Sequence, residues 1–179
     1  MKKLCVFCGA RVGHRPAYQA AARELGGALA AAGWGLVYGG GRVGLMGEVA
    51  DATLAAGGYV TGVIPAFLNR REILHPGLAS CHMVGDLFER KSMMMEIADA
   101  FVALPGGIGT YDELLEVIAW RQLGQLDKPV AVLDIEGYFQ PWLASLRHAV
   151  DAGFVDPVEL DKLHVVPTVH ALCTLLEIR

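Results

Sequence analysis

The sequence contains no run of lysine or arginine, and its 19 acidic residues outnumber its 15 basic residues, which leaves a formal net charge of −4. A chain without a continuous basic surface lacks the means to follow a nucleic-acid backbone, so we expect no nucleic-acid partner. Any anion that binds to this chain must instead be held by a few positioned groups.

Long apolar runs are also missing. The longest uncharged stretch extends from Leu25 to Gly41 and is interrupted repeatedly by glycine, which is typical of a helix end, a turn and a strand rather than of a membrane helix. Near the start of the chain, two lysines precede an apolar run that ends at Phe7-Cys8, which is too short for the core of a signal peptide. We therefore expect no membrane segment and a cytoplasmic protein.

Cysteine is scarce, with four residues in the chain, and Cys5-Val-Phe-Cys8 resembles a metal or redox motif by letter only. These two cysteines lie in a predicted strand, where residues three apart point to opposite faces, so we interpret them as buried, reduced thiols. The six histidines show no metal-ligand spacing, and no serine or cysteine lies in a nucleophile elbow. The sequence therefore gives no support to a metal site or an acyl-transfer mechanism.

The chain is rich in apolar residues, which make up 54% of it, and it has 22 glycines. This composition excludes disorder and is typical of a parallel sheet covered by helices on both faces. Strand-like and helix-like segments alternate without a repeat or linker, which predicts a single Rossmann-like, doubly wound α/β domain over residues 1–179. The predicted strands are 3–9, 35–38, 59–64, 81–84, 101–104, 130–133 and 164–166; the predicted helices run from 16 to a cap at 33, from 44 to 56, 87–98, 111–123, 138–152 and over the C-terminus.

In such a sheet, ligands bind beyond the carboxyl ends of the strands. Four segments are predicted to meet at that edge, namely the residues around Gly9, the loop 39–44, Glu72 and the segment 105–110. Gly9, Gly40, Gly41 and Glu72 are therefore candidate substrate-binding residues.

The loop Gly39-Gly-Gly-Arg-Val-Gly44 follows a predicted strand and precedes a predicted helix, as a dinucleotide-binding loop does. A dinucleotide site also needs an acidic residue about 20 positions later at a strand end, and that region here reads Val63-Ile64-Pro65. An NAD-dependent oxidoreductase is therefore disfavoured. Two interpretations stay open: a turn that brings the backbone close to some ligand, or a turn alone.

A second glycine-rich segment, Leu104-Pro-Gly-Gly-Ile-Gly-Thr110, also connects an apolar strand to an amphipathic helix. Backbone N–H groups and the helix dipole converge at such a point, glycines allow a phosphate to approach, and Thr110 adds a hydroxyl. No lysine precedes Thr110, so the segment is not a P-loop and suits a monophosphate better than a triphosphate. The candidate phosphate-binding residues are Gly106, Gly107, Ile108, Gly109 and Thr110.

Glu113 has two interpretations. Thr110-Tyr-Asp-Glu113 has the spacing of a capping box, which would give the glutamate a structural role only. Its position one turn from a phosphate site is also where the anomeric carbon of a sugar could lie, which favours a catalytic carboxylate.

Arg90 shares a predicted helix stripe with Leu87, Met94 and Ile97. Its charge is therefore either buried against a carboxylate or phosphate, or extended to the helix edge. The same helix begins with a capping box of its own, Asp86 and Glu89. The run 93–95 of three methionines is interpreted as core or subunit contact, although Met94 lies beside Arg90 and is a candidate binding residue.

Together these segments resemble the LOG family, and the likeness runs nearly end to end. The family signature PGGxGTxxE is present whole at 105–113, and the upstream arginine-lysine pair is Arg90-Lys91, at the family's separation from Glu113. The segments 6–9, 38–47 and 127–130 are also similar to family blocks.

The resemblance implies hydrolysis of the N-glycosidic bond of a nucleoside 5′-monophosphate, either AMP or a cytokinin riboside 5′-monophosphate, to free base and ribose 5-phosphate. It also implies a homodimer and no cofactor. By the match, Glu113 and Arg90 are catalytic, whereas Glu72, Lys91 and residues 107–110 contact the nucleotide. Older descriptions of such chains as lysine decarboxylases find no support here, because no lysine has a pyridoxal-phosphate setting.

One alternative to an enzyme stays open, a nucleotide or cofactor carrier of the same fold, although the intact Arg90–Glu113 pair argues against it. The sequence also departs from the family in two places. Ala10-Arg11 follows the first Cys-Gly, where the family commonly has a serine, and Ala119 stands where plant members have a threonine. These departures bear on base preference rather than on the chemistry.

Overall fold

The computed structural model of the protein describes residues 1–68 and 74–178. These residues form seven strands, a 3₁₀ turn at Ile135–Gly137 and seven helices. The strands are β1 (Lys3–Phe7), β2 (Gly35–Tyr38), β3 (Val60–Pro65), β4 (Ser80–Val84), β5 (Ala100–Ala103), β6 (Val130–Leu133) and β7 (Leu163–Val166). The helices are α1 (Pro16–Ala31), α2 (Gly44–Ala55), α3 (Leu87–Ile97), α4 (Ile108–Gln122), α5 (Gln140–Asp151), α6 (Pro157–Asp161) and α7 (Val169–Leu176).

All the strands pair in parallel in the order β4-β3-β2-β1-β5-β6-β7. Helices cover both faces, with α1, α2 and α7 packed on one and α3, α4 and α5 on the other. The central strands are apolar on both sides because both of their faces lie in the core. The predicted doubly wound, Rossmann-like fold is therefore confirmed.

The strand order shows where along the sheet a ligand-binding crevice lies. The chain winds outward in one direction from β1 to β4 and in the other from β5 to β7, so β1 and β5 are the adjacent strands at which the winding reverses. A crevice opens beyond the carboxyl ends of the strands at such a reversal, and ligands of open α/β sheets bind there. The loops after β1, β2 and β5 all end at this crevice.

The predicted boundaries agree with the structure to within two residues except at two places. Helix α4 begins at Ile108 rather than at 111, and the short helix α6 was not predicted. Strand β1 ends at Phe7 rather than at 9, and the predicted helix 138–152 is α5, which runs from Gln140 to Asp151. The cap at 33 is confirmed in substance, because Gly33 follows the last turn of α1 with a φ of +67°, where a left-handed backbone ends the helix.

The two N-terminal cysteines are free, buried and on opposite faces of β1 and its extension, as predicted. Within the described ranges 1–68 and 74–178, no helix has the length and apolar character needed to cross a membrane. The same ranges contain no group of three or more His, Cys, Asp or Glu side chains arranged to hold a metal ion.

Candidate active site

The glycine-rich segment 105–110 forms the turn from β5 into α4. Gly107 is the N-cap of the helix, and as a glycine it has no side chain with which to cap the first turn. The predicted capping box of Thr110 and Glu113 is therefore wrong, because the helix starts two residues before Thr110 and places it within the first turn. The amides of a first turn have no partner inside the helix, so those of residues 108–110 face the carboxyl edge of the sheet with the positive end of the helix dipole.

Close packing fixes this turn from behind. A side chain at Gly106 would overlap the hydroxyl of Thr110 and would lie 2.9 Å from the backbone nitrogen of Gly9. The Tyr138 hydroxyl donates a hydrogen bond to the Gly106 carbonyl, and Gly9 N–H donates to the Pro105 carbonyl at 3.1 Å. The turn is thus held by the β1 loop on one side and by Tyr138 on the other.

The front of the turn is open. Apart from the neighbouring residues of the turn itself, no atom in the described part of the chain lies within 4 Å of the position where a Cβ at Gly107 or Gly109 would be. Free amides and open space are the two properties that an anion-binding helix start requires.

Arg90 and Glu113 form a buried ion pair beside this turn. The distance from Arg90 Nη2 to Glu113 Oε1 is 3.2 Å, and the two side chains are only 9% and 13% exposed. The sequence left two possibilities for Arg90, burial against a carboxylate or phosphate and extension to the helix edge, and in the structure it is buried against a carboxylate. Arg90 Nε is also buried, and it has no hydrogen-bond partner among the residues that the structure describes.

The glycine loop 39–44 makes room for this arginine. A side chain at Gly39 would overlap Arg90 Nη2, and one at Gly44, which has a φ of +63°, would overlap the backbone of Ala10. The loop is therefore more than a turn. Because Gly39 and Gly44 have no side chains, Arg90 and the backbone of Ala10 can both lie against the loop.

These groups enclose a cavity of about 230 Å³ at the reversal between β1 and β5. The thiol of Cys8 lies at its floor, where burial and the nearby charge of Glu113 raise the pKa of this cysteine well above its ordinary value. The cavity is lined by Val6, Cys8, Ala10, Gly39, Met46, Arg90, Gly107, Gly109, Thr110 and Glu113.

A second cavity of about 380 Å³ adjoins the first across Ala10 and Gly107. Its walls come from the β1 loop, Tyr18 and Tyr138, whose rings meet edge to face with centroids 5.6 Å apart. Arg11 contributes its one charged side chain and makes no ion pair with any residue in the described part of the chain. An anion at Gly107 would therefore lie at the boundary of the two cavities.

Lys91 lies apart from the cavity, although it follows Arg90 in sequence. Its ammonium group is paired with Asp112 at 3.1 Å and with Glu116, both on α4. Burial alone would lower the pKa of Lys91, but the hydrogen bonds to Glu116 and Asp112 outweigh burial and raise the pKa above its ordinary value. In this chain Lys91 fastens α3 to α4.

The other predicted site residues are distributed around the crevice. Met94 is 1% exposed and packs in the core, whereas the side chain of Ile108 is 86% exposed. Gly9 and Gly106 line the second cavity, and Gly40 and Gly41 lie in the loop that admits Arg90. Glu72 lies outside the described residues.

Several contributors to the site were missed at the sequence level. Tyr138, Cys8 and Met46 border the two cavities, and Arg11 was considered only as a departure from the family. Position after a strand was a usable signal for Cys8 and Arg11. No local pattern indicates that Tyr138 reaches the Gly106 carbonyl, because 32 residues separate them.

The sequence has close relatives. The family model described as "Possible lysine decarboxylase" matches residues 46–176. A probable cytokinin riboside 5′-monophosphate phosphoribohydrolase from Oryza sativa subsp. japonica is 47% identical over 176 residues, which cover 98% of this chain and 72% of the relative. A cytokinin riboside 5′-monophosphate phosphoribohydrolase from Arabidopsis thaliana is 46% identical over 176 residues, which cover 98% of this chain and 81% of the relative.

Solved structures share the fold. An X-ray structure determined as a structural genomics target superposes with a TM-score of 0.74 at 29% identity over 99% of both chains. The molybdenum cofactor carrier protein of Chlamydomonas reinhardtii has a TM-score of 0.73 at 24% identity, covering 98% of this chain and 96% of its own, a likeness that concerns the fold alone. The sequence matches, which are stronger and nearly full-length, establish that this chain belongs to the LOG family, the family whose model is described as "Possible lysine decarboxylase".

Proposed function

We propose that this chain hydrolyses the N-glycosidic bond of nucleoside 5′-monophosphates, either cytokinin riboside 5′-monophosphates or AMP, and releases the free base and ribose 5-phosphate. The observation that carries the proposal is the buried pair of Arg90 and Glu113, 3.2 Å apart, beside an uncapped helix start. The names of relatives that are 43–49% identical to this chain support the same reaction.

The helix sets the distance between the phosphate and the bond that breaks. Glu113 follows the amides of residues 108–110 by three to five positions, which is about 4.5–7.5 Å along the axis of α4. A ribose 5-phosphate spans such a distance from its phosphate to its anomeric carbon. A phosphate on the first turn therefore brings the glycosidic bond to Glu113.

The carboxylate of Glu113 supplies what the transition state needs. Breaking the bond gives the ribose the character of an oxocarbenium ion, and a nearby carboxylate stabilises that positive charge. The same carboxylate orients the attacking water or accepts its proton. Glu113 itself is largely buried, with 13% of its side chain exposed, and low exposure to water strengthens the interaction between the carboxylate and the positive ribose.

Arg90 positions Glu113 and the nucleotide and does not protonate the leaving base. Its guanidinium keeps its charge at any physiological pH, so it is not the acid that assists the leaving base. Nη2 holds the Glu113 carboxylate, and Nε, which has no hydrogen-bond partner within residues 1–68 and 74–178, is a buried donor that the nucleotide can use. Because a buried donor without a partner is costly, this donor is an argument for a polar ligand in the cavity.

The older description of the family as lysine decarboxylases does not fit Lys91, the lysine next to Arg90 in sequence. Lys91 is held by two carboxylates, and its pKa is raised, so its nitrogen stays protonated. A lysine that forms an imine with a cofactor needs a neutral, nucleophilic nitrogen. We therefore assign Lys91 a structural role between α3 and α4.

We further propose that the chain acts as a homodimer in the cytoplasm. Large apolar residues are exposed on α3 and at the end of α4, two helices that cover the same face of the sheet; among them are Phe88 on α3, at 75%, and Leu123 just after α4, at 73%. Such a surface favours burial against a second subunit. The free cysteines agree with a reducing compartment.

Turnover is the direct test. The purified protein is incubated with AMP and, separately, with isopentenyl-AMP, and the free base and ribose 5-phosphate are measured by chromatography. We expect both products in equal amounts from the wild type and none from Glu113→Gln. Tight binding of these nucleotides without base release from either of them would overturn the proposal and favour a carrier of the same fold.

A further inference from the structure

His75 is the one histidine of the described chain that is buried, with 5% of its surface exposed. Its Nδ1 accepts a hydrogen bond from the backbone N–H of Gly77 at 3.1 Å. That bond places the proton of the neutral ring on Nε2, which then donates to the Asp51 carboxylate at 2.9 Å. Both ring nitrogens are thus used, and the histidine fastens the segment 74–77 to helix α2.

The same segment is joined to the glycine loop after β2. The backbone N–H of His75 donates to the Gly40 carbonyl at 3.0 Å, and Leu74 pairs with Gly41 in a short antiparallel bridge. Gly40 has a φ of +79°, a conformation that glycine adopts without strain. Because glycine is flexible, it adopts other conformations as readily, and Gly40 alone does not fix the loop. The loop therefore depends on outside contacts for its position.

Arg90 depends on that loop in turn. Its guanidinium occupies the space that a side chain at Gly39 would fill, one residue before the carbonyl that His75 holds. On its other side it is 3.2 Å from Glu113. A continuous series of contacts therefore leads from Asp51 through His75 and the glycine loop to the Arg90–Glu113 pair.

We propose that His75 is a positioning residue for the hydrolysis. By tying the segment 74–77 to α2, it holds the glycine loop where Gly39 receives Arg90, and so it sets the direction from which Arg90 meets Glu113. His75 lines neither cavity beside the crevice, so it acts without touching the substrate. The inference rests on the proposed function, because it assigns to Arg90 a part in turnover.

The two bonds of the ring can be separated by substitution. In His75→Gln the amide nitrogen takes the place of Nε2 and still donates to Asp51, whereas in His75→Asn the amide oxygen takes the place of Nδ1 and still accepts from Gly77. Asp51→Asn keeps an oxygen that accepts the bond from Nε2, and Asp51→Ala removes it. In this proposal the important bond is the one from His75 to Asp51 on α2. Activity should therefore be kept in His75→Gln and Asp51→Asn, which retain that bond, and lost in His75→Asn and Asp51→Ala, which do not.

Thr53→Ala is the matched control. Thr53 is fully buried on the same helix, and its hydroxyl donates to the Val49 carbonyl at 2.7 Å, away from the glycine loop. It tests whether loss of stability in α2 is enough to lower activity. Each variant is measured for base release from AMP, for its melting temperature and for the rate of amide hydrogen exchange in residues 39–44.

For His75→Ala we expect kcat to fall by about 10- to 100-fold while KM changes by less than about threefold, since a misplaced catalytic pair affects the transition state more than binding. Exchange in residues 39–44 should accelerate in His75→Ala and stay unchanged in Thr53→Ala, even where both melt earlier. In the double variant with Arg90→Ala, removal of His75 should cost no further activity. Should His75→Ala not fold, Asp51→Ala and the two amide variants carry the same comparison.

Three results would overturn the positioning role. They are a normal kcat in folded His75→Ala, a kcat that falls equally in Thr53→Ala, and an effect of His75 that persists in full when Arg90 is absent. A wild type that releases no base from either AMP or isopentenyl-AMP would refute the proposed function instead. The hydrogen-exchange comparison would still decide whether His75 holds the loop.

Discussion

The guanidinium of Arg90 lies between Gly39, which has no side chain to displace it, and the carboxylate of Glu113, 3.2 Å away. Two charges taken out of water attract strongly only when their geometry is held, and removal of either partner leaves the other buried and uncompensated. The pair is therefore a costly arrangement for stability alone. Its place at the edge where α/β sheets bind ligands supports the proposed role of the pair in catalysis.

Glu113→Gln should abolish base release and leave the fold intact. The amide has the size of the carboxylate and still accepts a hydrogen bond from Arg90, but it neither stabilises a positive ribose nor accepts a proton. We expect turnover of AMP to fall by at least about 100-fold, with a far-ultraviolet circular dichroism spectrum like that of the wild type. Turnover above a tenth of the wild-type rate would remove Glu113 from the catalytic role.

Arg90→Ala should also abolish activity, and its effect should not add to that of Glu113→Gln. Groups that act as a unit lose most of their function when the first of them is removed. The double variant should therefore turn over AMP within about threefold of the slower single variant. If its rate equals the product of the two single losses, the residues act independently and the pair is not one catalytic unit.

Local patterns in the sequence were sufficient to predict the strands of the sheet. The strands Gly35–Tyr38 and Val130–Leu133 lie where they were predicted, because each is a short apolar run bounded by turn residues. The start of α4 was placed three residues late because Thr110 has the chemistry of an N-cap, whereas the glycine before Ile108 takes that position. The prediction followed the side-chain spacing of Thr110 and Glu113, whereas the helix extends back through Gly109 to Ile108.

The candidate site was predictable where a residue follows a strand or shares a helix stripe, as Glu113 and Arg90 do. It was not predictable where distant segments meet. His75 reaches Asp51 across 24 residues, and Tyr138 reaches the Gly106 carbonyl across 32. Neither partner carries a local signal, since the spacing of a tertiary contact is set by the fold and not by helix or strand periodicity.

The homodimer prediction now points to a different surface from the one that the methionine run suggested. Met94 and Met95 pack in the core, so a contact between subunits has to use exposed residues such as Phe88. Light scattering should give a mass near twice the 19.1 kDa of one chain, and Phe88→Glu should shift it toward the monomer. Phe154→Glu, at a residue that is 85% exposed after α5, is the control that should leave the mass unchanged. A wild-type mass near that of one chain would contradict the dimer.

The cysteines should differ sharply in reactivity. Burial raises the pKa of Cys8, and the charge of Glu113 raises it further, so at pH 8 its thiol is protonated and unreactive. Burial likewise raises the pKa of Cys5, whereas Cys81 is exposed to reagents. Iodoacetamide should label Cys81 first in the native protein, and it should reach Cys5 and Cys8 only on unfolding, as followed by peptide mass spectrometry. Labelling of Cys8 as fast as that of Cys81 would show that the floor of the cavity is open.

The last prediction concerns the phosphate. If the amides of 108–110 hold the 5′-phosphate, binding energy from this remote group positions the ribose against Glu113 and raises kcat as well as affinity. AMP should therefore be cleaved and adenosine hardly at all, and inorganic phosphate or sulfate should compete with AMP. A crystal grown in sulfate should show the anion within hydrogen-bond reach of these amides.

Gly109→Ala tests the cradle without disturbing the fold. A Cβ at this position meets no atom of any other described segment within 4 Å, and in a helix it tilts toward the N-terminus, where the anion would lie. Gly27→Ala is the matched control, because this glycine of α1 also has open space around it and lies away from the cavities. Both variants should be as stable as the wild type or more so, by up to about 1 kcal/mol, since alanine is the better helix former. Only Gly109→Ala should lower kcat/KM for AMP, by about tenfold or more, because its methyl group occupies the place of the phosphate. Equal kcat/KM values for AMP and adenosine, or a Gly109→Ala enzyme that cleaves AMP as well as Gly27→Ala does, would mean that these glycines only turn the chain.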